Sequence, residues 1–163
     1  MSPLWTYFWP VFALGIALGL VGGIVGFWRK PRWIWAVALL LSIGGAALWH
    51  GPMGAAERFT RTVEATARDS LVSYEMTQVT ARLHQGPLTR RLMLSGQADD
   101  FQRSELVRIL SEVPGVSRAT WSQSGGLPLL LEAAIASVAG FLAGLALAYV
   151  ITLRRRYNAQ WRW

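Results

Sequence analysis

Three stretches of this chain lack charged side chains for long enough to cross a lipid bilayer. Residues 4–27 run 24 positions without a charge, residues 33–49 run 17, and residues 133–153 run 21. At about 1.5 Å per residue, the first spans roughly 36 Å as a helix and the second roughly 25 Å, against about 30 Å of hydrocarbon. Inside hydrocarbon each backbone N–H and C=O must find a partner within its own segment, so helix is the expected state of all three. Pro10 stands where it can begin or kink the first helix. The third is expected to start at Leu127 or Pro128, since proline suits a first turn, and so to cover 127–153. Gly51, Pro52 and Gly54 read as the exit turn of the second. No positive side chain precedes the first stretch, and its apolar core is longer than that of a signal peptide, so an uncleaved span is expected.

Composition agrees. Apolar residues make up 53% of the chain and charged residues 15%, whereas a soluble domain carries about 25% charged residues. There is no cysteine, which excludes disulfides, thiolate catalysis and Cys-ligated metal. With two histidines, a His-rich metal site is excluded as well.

The basic residues orient the spans. Arg29, Lys30 and Arg32 lie between the first two, and Arg154, Arg155, Arg156 and Arg162 follow the third, while residues 1–10 carry none. The positive-inside rule makes residues 28–32 and a basic tail at 154–163 cytoplasmic, with the N-terminus and residues 51–126 outside. In a Gram-negative bacterium this describes a multi-pass inner-membrane protein with a periplasmic segment. Tryptophans mark the expected boundaries as an aromatic belt: Trp5, Trp9 and Trp49 at the outer ends, and Trp28, Trp33, Trp35, Trp161 and Trp163 at the inner ones. The net charge of +7 is concentrated at the cytoplasmic face, because residues 57–118 balance nine arginines against eight acids. Nucleic acid is therefore not an expected partner, whereas anionic membrane lipid is.

Small residues recur every fourth position in two of the helices. Gly15, Gly19 and Gly23 share a face of the first, and Ala136, Gly140, Gly144 and Ala148 share a face of the third. Such stripes let backbones approach closely. They predict packing of helix one on helix three, or of one stripe on another protein. The second helix contains Gly44 and Gly45 but shows no four-residue repeat.

The polar segment has its own pattern. Phe59, Val63, Ala67, Leu71 and Tyr74 form an apolar stripe, which predicts a helix over 56–74. Val79, Ala81 and Leu83 then alternate with Thr80, Arg82 and His84, a half-buried strand. After the turn Gln85-Gly86-Pro87, Leu88, Leu92 and Leu94 share one face of a second strand, opposite Arg91, Met93 and Ser95. Asp99 with Gln102 fits a capping box opening a second helix, whose stripe is Leu106, Ile109, Leu110 and Val113. Pro114-Gly115 ends it, and 116–121 is a short third strand. The expected fold class is thus a membrane protein: three transmembrane α-helices plus a small α+β domain of order αββαβ.

The run RRLMLSGQADDFQRSELVRILSEVPGVSRATW, residues 90–121, resembles the BON domain of bacterial envelope proteins. Leu94-Ser95-Gly96 matches that family's strand end, and the Leu106–Val113 helix followed by Pro114-Gly115-Val116 matches in order and spacing. The likeness extends over residues 56–121. It implies an exported domain that binds phospholipid surfaces or partner proteins without catalysis. Many such proteins carry tandem copies, whereas this chain has one.

No catalytic constellation, cofactor site or metal-ligand spacing stands out, so no enzyme activity is expected. Asp99-Asp100 reads as helix capping rather than an acid–base pair. His50 carries an imidazole of the kind that ligates haem or chlorophyll, but an interfacial histidine at a helix end is the commoner role. His84 ends a strand and is expected in solvent. Glu132 is the only acid in an expected span and reads as an interface or partner contact. Arg82, Arg90 and Arg91 are expected to meet lipid headgroups or a neighbour's acidic rim. The function expected is an accessory or scaffolding subunit of a larger assembly of integral membrane proteins. The alternative is an autonomous tether binding phospholipid, peptidoglycan or outer-membrane protein.

Overall fold

The structure, a computed structural model, describes residues 2–29, 33–122 and 125–160. It contains α1 (Pro3–Arg29), α2 (Trp33–His50), α3 (Ala55–Ser73), β1 (Val79–Gln85), β2 (Leu88–Gly96), α4 (Asp100–Ser111), β3 (Arg118–Thr120) and α5 (Leu129–Gln160). Three of these helices, α1, α2 and α5, are long and apolar enough to cross a membrane. The chain divides into two compact units, one of Met1–Tyr7 with Gly54–Glu132 and one of Phe8–Met53 with Ala133–Trp163.

Several boundaries differ from those read in the sequence. Pro10 lies inside α1, which starts at Pro3 and runs through it. The third long helix starts at Leu129, because Pro128 is engaged in an isolated β-bridge with Thr89. It continues to Gln160, so Arg154, Arg155 and Arg156 stand on the helix instead of in a tail. Arginine, alanine and glutamine are good helix formers and carry the helix past its apolar part. Lys30, Arg32, Trp161, Arg162 and Trp163 lie outside the described residues.

In the helical unit the glycines of α1 and α5 face each other. A Cβ at Gly15 would strike the Ser137 carbonyl oxygen, and one at Gly19 the carbonyl of Phe141. From the other side, Cβ atoms at Gly140 and Gly144 would strike the carbonyl oxygens of Phe12 and Ile16. Gly23 sits against the Ala148 methyl. Ala136 is only partly covered, and Ala133 and Ser137 are the buried residues of that turn. Contrary to the expectation, the second helix does have a four-residue repeat of small residues: Ala38, Ser42 and Ala46 are its buried residues. Ala38 meets Gly22 of α1, and the Ser42 and Ser137 hydroxyls form a 2.6 Å hydrogen bond between α2 and α5. Gly44 faces open space. Large apolar side chains such as Val21, Leu40 and Val150 point outward.

The other unit is built on a sheet of order β1-β2-β3, antiparallel at the first pairing and parallel at the second. Val79 and Leu83 of β1, Leu92 and Leu94 of β2 and Ala119 of β3 share the buried face. They pack under Phe59, Val63, Ala67 and Leu71 of α3 and Leu106 and Leu110 of α4. The apolar stripes read from the sequence are therefore the faces that meet, with two exceptions: Tyr74, at the C-cap of α3, is exposed, and at the start of β2 Thr89 is buried while Leu88 is only partly covered. Asp99 accepts from the Gln102 N–H at 2.7 Å, and Gln102 Oε1 accepts from the Asp99 N–H at 3.1 Å, so both halves of the capping box form. Two glycines are required by the backbone. Gly96 (φ 134°) ends β2 with no room for a Cβ beside the Gln78 carbonyl. Gly115 (φ 105°) lets the chain turn tightly over Val63 and Phe59. Residues 2–7 belong to this unit as well: the Tyr7 ring is buried with its centroid 5.5 Å from that of Phe59.

Candidate interaction surface

Side chains alternate across a strand, so the sheet has a second face turned away from α3 and α4. Arg82 on β1 stands opposite Met93 on β2, Thr80 opposite Ser95, and Arg91 opposite Arg118 on β3. The Thr80 and Ser95 hydroxyls are 2.7 Å apart. Arg82 and Arg118 are exposed, and Arg91 is partly covered where Gly126 lies against its side chain. The face bears three arginines and no acid, because the acidic residues of 54–122 lie on α3, on α4 or in the segments at their ends. Like charges directly opposite one another repel, and Arg91 facing Arg118 concentrates positive potential at the middle of this face.

Arg90 is not part of it. Adjacent strand residues point to opposite faces, and the Arg90 Nε lies 3.1 Å from Glu132 Oε2, within ion-pairing distance though outside hydrogen-bond geometry. The side chains are 23% and 22% exposed, so most of each is out of water and each charge depends on the other. The phenol of Tyr7 lies within electrostatic reach of the same carboxylate. The sequence predicts Arg90 and Glu132 as separate contacts; the structure pairs them. Arg118 is not among the contacts the sequence predicts, and its strand of three residues is too short for alternation to assign its face.

Other expected sites resolve individually. The His84 Nδ1 lies 3.1 Å from the Pro87 carbonyl oxygen, across the hairpin turn and only partly in solvent. His50 is half-buried at the end of α2. Trp5, Trp9, Trp28 and Trp33 are exposed and Trp49 is half-buried. Trp35, in the first turn of α2, fills the space over Gly26 with its ring and packs edge-on against Phe27. Its Nε1 is buried without a hydrogen-bond partner among the described residues. The Arg155 guanidinium lies over the Trp28 ring, 5.4 Å from its centroid. Among the described residues no group of three His, Cys, Asp or Glu is gathered as a metal site. No protein-family model, no curated protein and no solved structure matches the chain.

Proposed function

We propose that this chain is a non-enzymatic multi-pass protein of a bacterial inner membrane, with a BON-like α+β domain on the periplasmic side, acting as an accessory subunit of a larger membrane assembly. The observation that carries the reading is the acid-free sheet face of Arg82, Arg91 and Arg118. A small domain whose acids are all elsewhere is suited to meet an acidic partner surface, where complementary charge sets partner choice and association rate. The glycine stripes of α1 and α5 are occupied by each other, which leaves the outward apolar side chains of the bundle for lipid and neighbouring subunits. The BON likeness is supported by the helix and strand order, and by Gly96 and Gly115, whose conformations call for glycine at those motif positions. For topology, Arg155 over Trp28 supports one common side for the two basic clusters.

The same face also favours a second reading, a tether whose arginines hold anionic phospholipid of another membrane. The test reverses Arg82 and Arg118 to Glu in the full-length protein. Loss of co-purifying subunits in mild detergent, with the protein still folded, is the expected result. A protein that migrates alone in native gels at every detergent concentration, yet bridges anionic liposomes when reconstituted, would replace the subunit with the tether. For topology, Ser70→Cys should react with an impermeant thiol reagent in spheroplasts and Asn158→Cys only after lysis. The reverse pattern overturns the orientation.

A further inference from the structure

The outer edge of β1 is open at one residue, and a groove lies beside it. The Leu83 N–H donates to Glu64 Oε1 at 2.9 Å, so the Leu83 backbone points away from β2. In an antiparallel ladder this direction recurs at every second residue, so Val79 and Ala81 also turn outward. The Val79 N–H is taken by the Met76 carbonyl at 3.1 Å. Ala81, between the two, keeps its N–H and C=O without a hydrogen-bond partner among the described residues. A cavity of about 270 Å³ adjoins this edge, and its lining includes Glu64, Arg68, Leu71 and Val72 of α3 and Ala81 and Arg82 of β1. Val72 is 57% exposed, a large apolar side chain left beside the open edge of β1.

We propose that this edge receives an extended segment of an acidic partner protein, which adds a strand to the sheet and alternates apolar with acidic residues. Its backbone bonds to Ala81. Side chains on the helix-covered side meet Leu71 and Val72, and those on the open side meet Arg82. Neither Arg68 nor Arg82 has an ion-pair partner among the described residues, and Glu64 keeps its charge while it accepts from Leu83, so the two arginines leave the rim with one net positive charge. A second copy of β1 is the wrong occupant, because pairing two such edges would crowd four arginines together. Glu64 also limits the added strand, since its carboxylate occupies the N–H where pairing would continue. The inference deepens the subunit reading and rests on it for the existence of a protein partner.

The test uses the full-length protein in detergent micelles and a synthetic peptide of alternating valine and glutamate, with a valine–lysine peptide as control. The glutamate peptide should bind by fluorescence anisotropy and slow hydrogen exchange at the Ala81 amide. Ala81→Pro removes that N–H and leaves the β1–β2 bonds of Thr80 and Arg82, so it should weaken binding about tenfold or more. Arg68→Glu with Arg82→Glu should reverse the preference toward the lysine peptide, which keeps the test decisive if the proline variant does not fold. Three results overturn the proposal. One is absence of binding at the highest soluble peptide concentration. Another is equal binding by folded Ala81→Pro. The third is Ala81 protection without peptide, through a dimer that Ala81→Pro disperses. Failure here with retained co-purification would remove the strand-addition mode alone; loss of co-purification in the wild-type protein would remove the subunit reading.

Discussion

Adding one methyl group at Gly144 should disrupt the helix bundle, and the same methyl at Gly44 should not. A Cβ at Gly144 would lie 2.7 Å from the Leu20 nitrogen and 3.0 Å from the Gly19 Cα, with the Ile16 carbonyl oxygen closer still. All three are backbone atoms of α1, so no side-chain rotation relieves the overlap and the helices must separate. A Cβ at Gly44 meets nothing within 4 Å. Both Gly→Ala changes share the same gain in helix propensity, about 1 kcal/mol. Comparing the two therefore isolates the overlap, for which overpacking in close-packed interiors sets a cost of about 1–3 kcal/mol. Reversible unfolding in mixed micelles, driven by dodecyl sulfate and followed by tryptophan fluorescence, measures the difference directly. Gly44→Ala should match or exceed the wild type, and Gly144→Ala should unfold at clearly lower detergent fraction. Leu147→Ala, at a side chain 51% exposed, should have a small effect. Coincident transitions for Gly44→Ala and Gly144→Ala would refute the close approach of α1 and α5.

The remaining two predictions concern polar pairs. Ser42→Ala breaks the fully buried 2.6 Å bond to Ser137, and a double-mutant cycle with Ser137→Ala in the same unfolding assay should give a coupling of about 0.6–1.7 kcal/mol; zero coupling would reduce the pair to coincidental contact. Arg90→Ala and Glu132→Gln each leave the other charge partly buried and should destabilise the protein by about 1–3 kcal/mol, between exposed and buried ion pairs, with the double variant less affected than the sum of the two. Strict additivity in thermal unfolding would show that the two charges do not interact.

Much of this architecture is written locally. A run of 24 uncharged residues has one physical outcome in a bilayer, and the glycine period on α1 already shows which face approaches another backbone. Phe59, Val63, Ala67 and Leu71 repeat with the helix, so their burial follows from spacing, and the Asp99–Gln102 box closes over three residues. Of the interaction surface, Arg82 and Arg91 were legible because strand alternation assigns them to one face. Arg118 lay in a strand only three residues long, too short for a period to declare itself.

Whatever depends on which segments meet lay outside the sequence's reach. Ala38, Ser42 and Ala46 are unremarkable in a helix rich in alanine, and only the approach of α1 and α5 distinguishes that face from the others. Trp35 at a helix end suits an interface anchor, and only the approach of α1 shows that its ring lies over Gly26. Arg90 and Glu132 are far apart in the chain, and no local pattern states that each neutralises the other. Residues 2–7 continue a long apolar helix, yet Tyr7 packs on Phe59 in the α+β unit. The sequence by itself determined the elements, their apolar faces and the three helices fit for a membrane, because periodicity and hydropathy act between near neighbours and with solvent. The tertiary structure alone decided the partners of those faces, the charge pair and the open edge at Ala81, because each is a relation between segments that become neighbours only when the chain folds.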